Sequence, residues 1–456
     1  MEGSDLSVPI LNSFASLSIS NVNIDFAEGN SAGDFTASLN QYLQSHGSNK
    51  ITKFRISFAP LDAFAPDIEN WIHSAVSRGV EDLFLDFSMG FDHNSEQYRT
   101  GMKPFKLPNS LFGCRTLICL TLSHSVFSPP AGFTGFENLK SLSLSYVNIS
   151  EDMLQWTISS SPLLENLVIK NCGNLETLNV SSYSLQKLVL VAPYSNLYDI
   201  EITAPKLQSF IYYGEHIFGD AVFHPKNHFL DISSLTDAFI SSMGLEFTEP
   251  EHDYIKLLSD LKQVKILTVC TATLLNVTTY GDHFGHENLP VVLGNLKELQ
   301  LLVDNLNLSY IYGFFRYCPV PLLERLFIIL PATFQVEEPA SYGSTKVEEP
   351  STVVFEHLQV IKVVNFEGCA SEMRLLGFLL ERAPVLESLV LVLPPRCRED
   401  KSELAIEQNN LYVQISLLSK ASPAANVLLI HSTDDDESLK PTHTEYFSEF
   451  TGFPNA

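Results

Sequence analysis

Basic residues are scarce in this 456-residue chain: 28 Lys and Arg stand against 53 Asp and Glu, a formal net charge of −25 at pH 7. Clustered cations supply most nucleic-acid affinity by releasing counterions, so a phosphate-tracking surface is not expected. An acidic excess of this size keeps an extended protein soluble. The seven cysteines (Cys114, Cys119, Cys172, Cys270, Cys318, Cys369 and Cys397) are odd in number and never spaced as CxxC, which suits a reducing compartment. No stretch approaches the roughly 18 consecutive apolar residues of a membrane span. The opening MEGSDLSV has acids where a secretory signal needs bases. A cytoplasmic or nuclear protein without membrane association is expected.

Catalytic patterns are missing too. There is no GxGxxG, no GxxxxGK, no GxSxG and no HExxH. The histidine cluster DHFGHE offers Asp282, His283 and His286 but no cysteine ligand, and it reads as a surface loop rather than a metal site. Neither enzymatic activity nor a cofactor or metal is expected.

What the chain has in abundance is one spacing, LxxLxL. It recurs as ITKFRI from Ile51, VEDLFL from Val80, LICLTL from Leu117, LKSLSL from Leu139, LENLVI from Leu164, LETLNV from Leu175 and LQKLVL from Leu185. It continues as LQSFIY from Leu207, VKILTV from Val264, LKELQL from Leu296, LERLFI from Leu323, LQVIKV from Leu358 and LESLVL from Leu386. Alternation puts the apolar side chains on one face of a short strand, and no single copy can bury that face, so neighbours must stack. These are leucine-rich repeats, and the fold class is α/β: a solenoid with a curved parallel sheet and helices or loops on its convex side. The steps of 11 and 10 residues around Leu175 leave no room for a helix, which predicts either bare strand-turn-strand or a second in-phase match inside one repeat there. The gap of 57 residues from Leu207 to Val264 predicts a degenerate copy near Ile232 and Leu235.

Three copies share a lead-in: SPLLENL from Ser161, PLLERL from Pro321 and APVLESL from Ala383. Each follows a helix-period apolar segment, and proline ends that helix and hands the chain to the next strand. Cys172, in the Asn/Cys slot of the repeat, is expected to support a turn. The organisation predicted is a cap over 1–50, a solenoid over 51–330, an acidic insertion over 331–352 with VEEP twice, C-terminal repeats over 353–432 and an acidic tail over 433–456.

Non-leucine positions within the copies face the concave side, the usual binding surface of a solenoid. Candidate partner-binding residues there are Ser143, Asn166, Lys170, Lys187, Gln300, Arg325, Phe327 and Lys362. Toward the C-terminus these positions turn apolar, so a cover is required. The expected cover is intramolecular, the segment after Pro394 folding back over these strands as the runs LYVQISLL (Leu411–Leu418) and NVLLI (Asn426–Ile430) would permit, with a partner's hydrophobic segment bound near Arg325, Phe327 and Lys362 as the alternative.

The run FRISFAP, then WIHSAVSRGVEDLFLDFS, FKLPNSLFGCRTLICLTLSHSVFSPP, SSSPLLENLVIKNCGNLETLNV and APKLQSFIYYGE resembles the plant F-box/LRR-repeat family. FEHLQVIKVVNFEG (Phe355–Gly368) and EMRLLGFLLERAPVLESLVLV (Glu372–Val392) resemble the FBD domain that closes many of its members. The resemblance implies the substrate-recognition part of an SCF-type ubiquitin ligase, capturing an unidentified protein. The alternative is an F-box-less scaffold that binds partners without marking them. Nothing before Ile51 reads as the LPxxxLxxIL helical pattern of an F-box, so docking on a Skp-type adaptor is assigned to no residue here and is not expected of this sequence.

Overall fold

A computed structural model describes residues 21–25, 32–45, 50–58, 62–88, 103–173, 175–192, 199–214, 228–242, 253–284, 290–331, 349–395, 401–435 and 439–451. They fall into two compact units, one of 1–207 with 226–234 and one of 208–225 with 235–456.

Each of the thirteen motif copies forms a strand. The first unit contains β1 (Asn21–Asp25), β2 (Lys53–Ser57), β3 (Asp82–Asp86), β4 (Phe105–Lys106), β5 (Cys119–Ser123), β6 (Ser125–Val126), β7 (Ser141–Ser145), β8 (Asn166–Lys170), β9 (Thr177–Ser181), β10 (Lys187–Ala192) and β11 (Asp199–Thr203). Its main sheet is parallel in the order β1-β2-β3-β5-β7-β8-β10. Leu142 and Leu144 are buried while Ser141, Ser143 and Ser145 stay half-buried, the alternation that a pleated strand imposes. Strand β1 lies ahead of the first motif copy, in the segment read as a cap, and pairs with β2 from Asn21↔Lys53 to Asp25↔Ser57.

Between its motif strands the chain returns by helices or, where the interval is short, by strands. LETLNV becomes β9, which joins not the main sheet but a second parallel sheet with β11 and β13 (His228–Asp231). The second unit stacks β12 (Ser209–Gly214), β14 (Asp237–Ser242), β15 (Ile266–Cys270), β16 (Glu298–Leu302), β17 (Arg325–Ile329), β18 (Val360–Val364), β19 (Ser388–Leu393) and β20 (Asn426–His431) in parallel. Strand β14 is the degenerate copy, with Ile232, Leu235, Ala238 and Ile240 buried. The helices Glu151–Ser159, Leu308–Tyr317 and Ala370–Arg382 each end before the proline that leads into β8, β17 and β19. Strands β17 and β18 pair from Arg325↔Val360 to Ile329↔Val364, so the insertion at 331–352 interrupts no ladder. Most of that insertion lies outside the described residues.

A turn recurs at the strand ends. His124, Tyr146, Asn171 and Asn365, each following a strand, have φ of 53°, 54°, 52° and 61°. That left-handed conformation is disfavoured for residues with a Cβ, and side-chain hydrogen bonds offset it where they can. Asn365 Nδ2 donates to Leu330 O at 2.7 Å, and the Cys172 thiol after Asn171 lies 3.8 Å from Leu144 O and 3.6 Å from Lys170 O.

Two expectations about the C-terminus are corrected. Asn426–Ile430 does not fold over the sheet; it extends the sheet as β20, pairing with β19 from Ser388↔Asn426 to Leu393↔His431. Leu411–Leu418 falls largely in the helix Lys401–Ser416, where Tyr412 and Val413 are exposed. The β-branched and leucine content of NVLLI suits a ladder position, and a parallel neighbour was available.

Candidate functional site

Register, not sequence proximity, assembles the outer face of the first unit. Lys53, Asp82, Cys119, Ser141, Asn166 and Lys187 form one row across successive strands. Arg55, Phe84, Thr121, Ser143, Val168 and Val189 form the next, and Ser57, Asp86, Ser123, Ser145, Lys170 and Val191 the third. Ser143, Asn166, Lys170 and Lys187 are thus brought onto one surface, and all four are half-buried. The Arg55 guanidinium sits 4.7 Å from the Phe84 ring centre, and Lys53 Nζ 3.9 Å from Asp82 Oδ2. Burial, reinforced by the Asp82 charge and opposed by Lys53, pushes the Cys119 thiol above its ordinary value.

The outer face of the second unit is different in kind. Phe239, Thr268, Gln300, Phe327, Lys362 and Val390 line up in its middle row, and all are buried. Gln300, Phe327 and Lys362, expected as an exposed binding surface, are therefore brought together but closed off. The cover is the segment read from sequence as an acidic tail. Lys362 Nζ donates to Asp435 Oδ1 and Oδ2 at 2.8 and 2.7 Å and to Leu439 O at 3.2 Å. Thr442 N donates to Glu298 Oε1 at 2.8 Å. His443 reaches Thr268 Oγ1 at 2.8 Å and Asp237 Oδ1 at 3.2 Å. Tyr446 and Phe447, at the start of the helix Thr444–Thr451, bring their ring centres to 5.8 and 6.5 Å from that of Phe239. Arg325 stays at the rim, 42% exposed in its side chain, and pairs with Glu298.

These contacts form one polar network. Thr268 gives its hydroxyl hydrogen to Gln300 Oε1 at 2.9 Å, and Gln300 Nε2 donates to Glu298 Oε1. The Thr268 oxygen is left to accept from Nδ1 of His443, and the Asp237 carboxylate can only accept, from Nε2. Acid, imidazole and hydroxyl stand in the sequence of a nucleophilic triad, yet Thr268 is fully buried with its proton committed to an amide, so it is not poised for attack. Burial pushes the Asp237 carboxyl up, but hydrogen bonds from His443 and Ser209 and the His443 charge carry it below its ordinary value.

Among the described residues no group of three or more His, Cys, Asp or Glu could hold a metal. The side chains of His283 and His286 lie outside them; Asp282 Oδ1 accepts from the Tyr317 hydroxyl at 2.7 Å. No helix among the described residues is long and apolar enough to cross a membrane.

Stacked parallel strands with such faces occur in many repeat proteins, and similarity to known chains narrows the choice. Residues 42–428 match the family model described as the At1g61320/AtMIF1 LRR domain. The chain belongs to this leucine-rich-repeat family. Its relatives include Arabidopsis thaliana proteins of the plant F-box/FBD/LRR group. F-box/FBD/LRR-repeat protein At1g78750 is 27% identical over 75% of this chain and 72% of its own length. F-box/FBD/LRR-repeat protein At1g13570 is 26% identical over 83% and 80%. F-box/LRR-repeat protein 13 is 24% identical over 84% and 82%. As a member of the F-box/FBD/LRR group, the chain is a protein-interaction module.

Asp237, Phe239, Thr268, Glu298, Asp435 and His443 were missed in the sequence. One signal was present: a run with His, Tyr and Phe, PTHTEYF, shortly after an acidic run. Its partners lie far away in sequence, Thr442 144 residues from Glu298 and His443 206 residues from Asp237.

Proposed function

We propose that this chain is the substrate-recognition part of an SCF-type ubiquitin ligase, capturing a protein on the outer face of its first unit. The observation that carries the reading is the contrast between the two faces: the first unit keeps half-buried polar and charged rows, while the second is closed by its own chain. A polar surface with fixed register recognises a folded partner through paired charges and hydrogen bonds at modest desolvation cost. Ser143, Asn166, Lys170 and Lys187 are its proposed contacts. The F-box names of the relatives support the link to ubiquitin transfer.

Affinity capture from plant cells with the proteasome blocked tests this. Proteins retained by the unaltered chain and lost by a Lys170→Glu, Lys187→Glu variant should carry ubiquitin chains. Captured proteins without ubiquitin, unchanged in abundance when the chain is removed, would assign it to scaffolding instead.

A further inference from the structure

The segment that closes the second unit is a single layer. Pro441, His443, Tyr446 and Phe447 point to the sheet and are buried, whereas Lys440, Thr442 and Glu445 on its other side are exposed. Nothing described packs over that outer side as a second apolar layer. Its helix, Thr444–Thr451, has eight residues, too few to persist without the surface it rests on. The docked conformation is thus imposed by the face.

Its anchors are polar and specific. Among the described residues, the buried Lys362 ammonium donates its hydrogen bonds to the tail, at Asp435 and Leu439. Glu298 takes a main-chain N–H from Thr442, a group any polypeptide offers. Asp237 and Thr268 read an imidazole, and Phe239 receives an aromatic pair. A buried ion pair adds little net stability over an apolar contact of the same volume, but it selects which segment docks and in which register. Selection matters where docking is reversible.

We propose that the outer face of the second unit is a peptide-binding surface, that Asp435 and residues 439–447 occupy it as an internal stand-in for its ligand, and that the ligand is a polypeptide segment of the tail's chemistry. That segment carries a carboxylate for Lys362, an imidazole eight residues later for Asp237 and Thr268, and an aromatic pair beyond it for Phe239. It enters as the tail leaves. The proposal does not depend on whether captured proteins are ubiquitinated.

The probe is a fluorescent synthetic peptide spanning Ser432–Thr451, read by anisotropy against the full chain. In the unaltered chain the tethered tail competes at an effective concentration on the order of millimolar, so peptide binding is weak. A full-length variant with Asp435→Asn, Tyr446→Ala and Phe447→Ala leaves the face intact and should bind the peptide at least tenfold more tightly. Adding Lys362→Met, or placing Asn for Asp435 in the peptide, should remove that gain. No gain in a variant that still melts cooperatively overturns the proposal, and so does loss of cooperative melting, which would make the tail part of the core. Hydrogen exchange on the unaltered chain gives a test free of substitutions. Amides of 439–447 should open as a group before those of β16 to β18, and equal protection in tail and strands would refute a displaceable segment.

Discussion

Leu142 and Ser143 are adjacent in one strand and face opposite sides of it. Leu142 is fully buried among the stacked leucines, and its neighbours in β5 and β8 cannot collapse into a void without breaking their own register. Leu142→Ala should cost on the order of 2–5 kcal/mol, as should Leu389→Ala in β19. Ser143→Ala, on the half-buried face, should stay within about 0.5 kcal/mol. Thermal or denaturant unfolding of the three variants checks the strand phase, and equal shifts would contradict it. The Asp237 carboxylate makes a second prediction. Its folded pKa lies below the ordinary value, so it contributes stability that is present above the ordinary carboxylate range and lost as pH falls through the lowered value. Melting temperature followed from neutral to acid pH should therefore fall less steeply for Asp237→Asn than for the unaltered chain, from a lower starting point.

The helices Thr271–Phe284 and Leu308–Tyr317 pack closely against each other, and glycine permits it. A Cβ on Gly313 would fall on the Thr278 side chain, and one on Gly281 on the Tyr317 ring. Gly377, in the helix Ala370–Arg382, meets nothing within 4 Å. Alanine raises intrinsic helix propensity at both kinds of position, by about 1 kcal/mol. At Gly377 that gain should appear as a higher melting temperature. At Gly313 overpacking of about 1–3 kcal/mol should outweigh it and lower the melting temperature, and a rise there would show that the helices can separate freely.

For the whole molecule, the repeat spacing already located the strands. Each LxxLxL copy became one, because the alternating pattern has a single burial solution in a parallel stack. Strands β1, β4, β6, β11, β13 and β20 were not anticipated, since none carries the full spacing and only a paired neighbour makes them strands. The 35-residue step from Leu323 to Leu358 exceeds a repeat, yet β17 and β18 pair directly. Replacing 334–347 by a short Gly/Ser linker should leave the melting temperature nearly unchanged, as loop-closure entropy varies slowly with length. A large drop would make that segment part of the fold.

Repeat identity, helix-to-strand handover at prolines and the phase of each strand follow from local periodicity, which the sequence carries residue by residue. Closure of the second face does not. It depends on a short acidic segment meeting Lys362, Glu298 and Asp237 across 73, 144 and 206 residues of chain, and such pairings have no local pattern to announce them. Only the folded chain decides which polar residue lies opposite which, because it is the stacking register that brings them into reach.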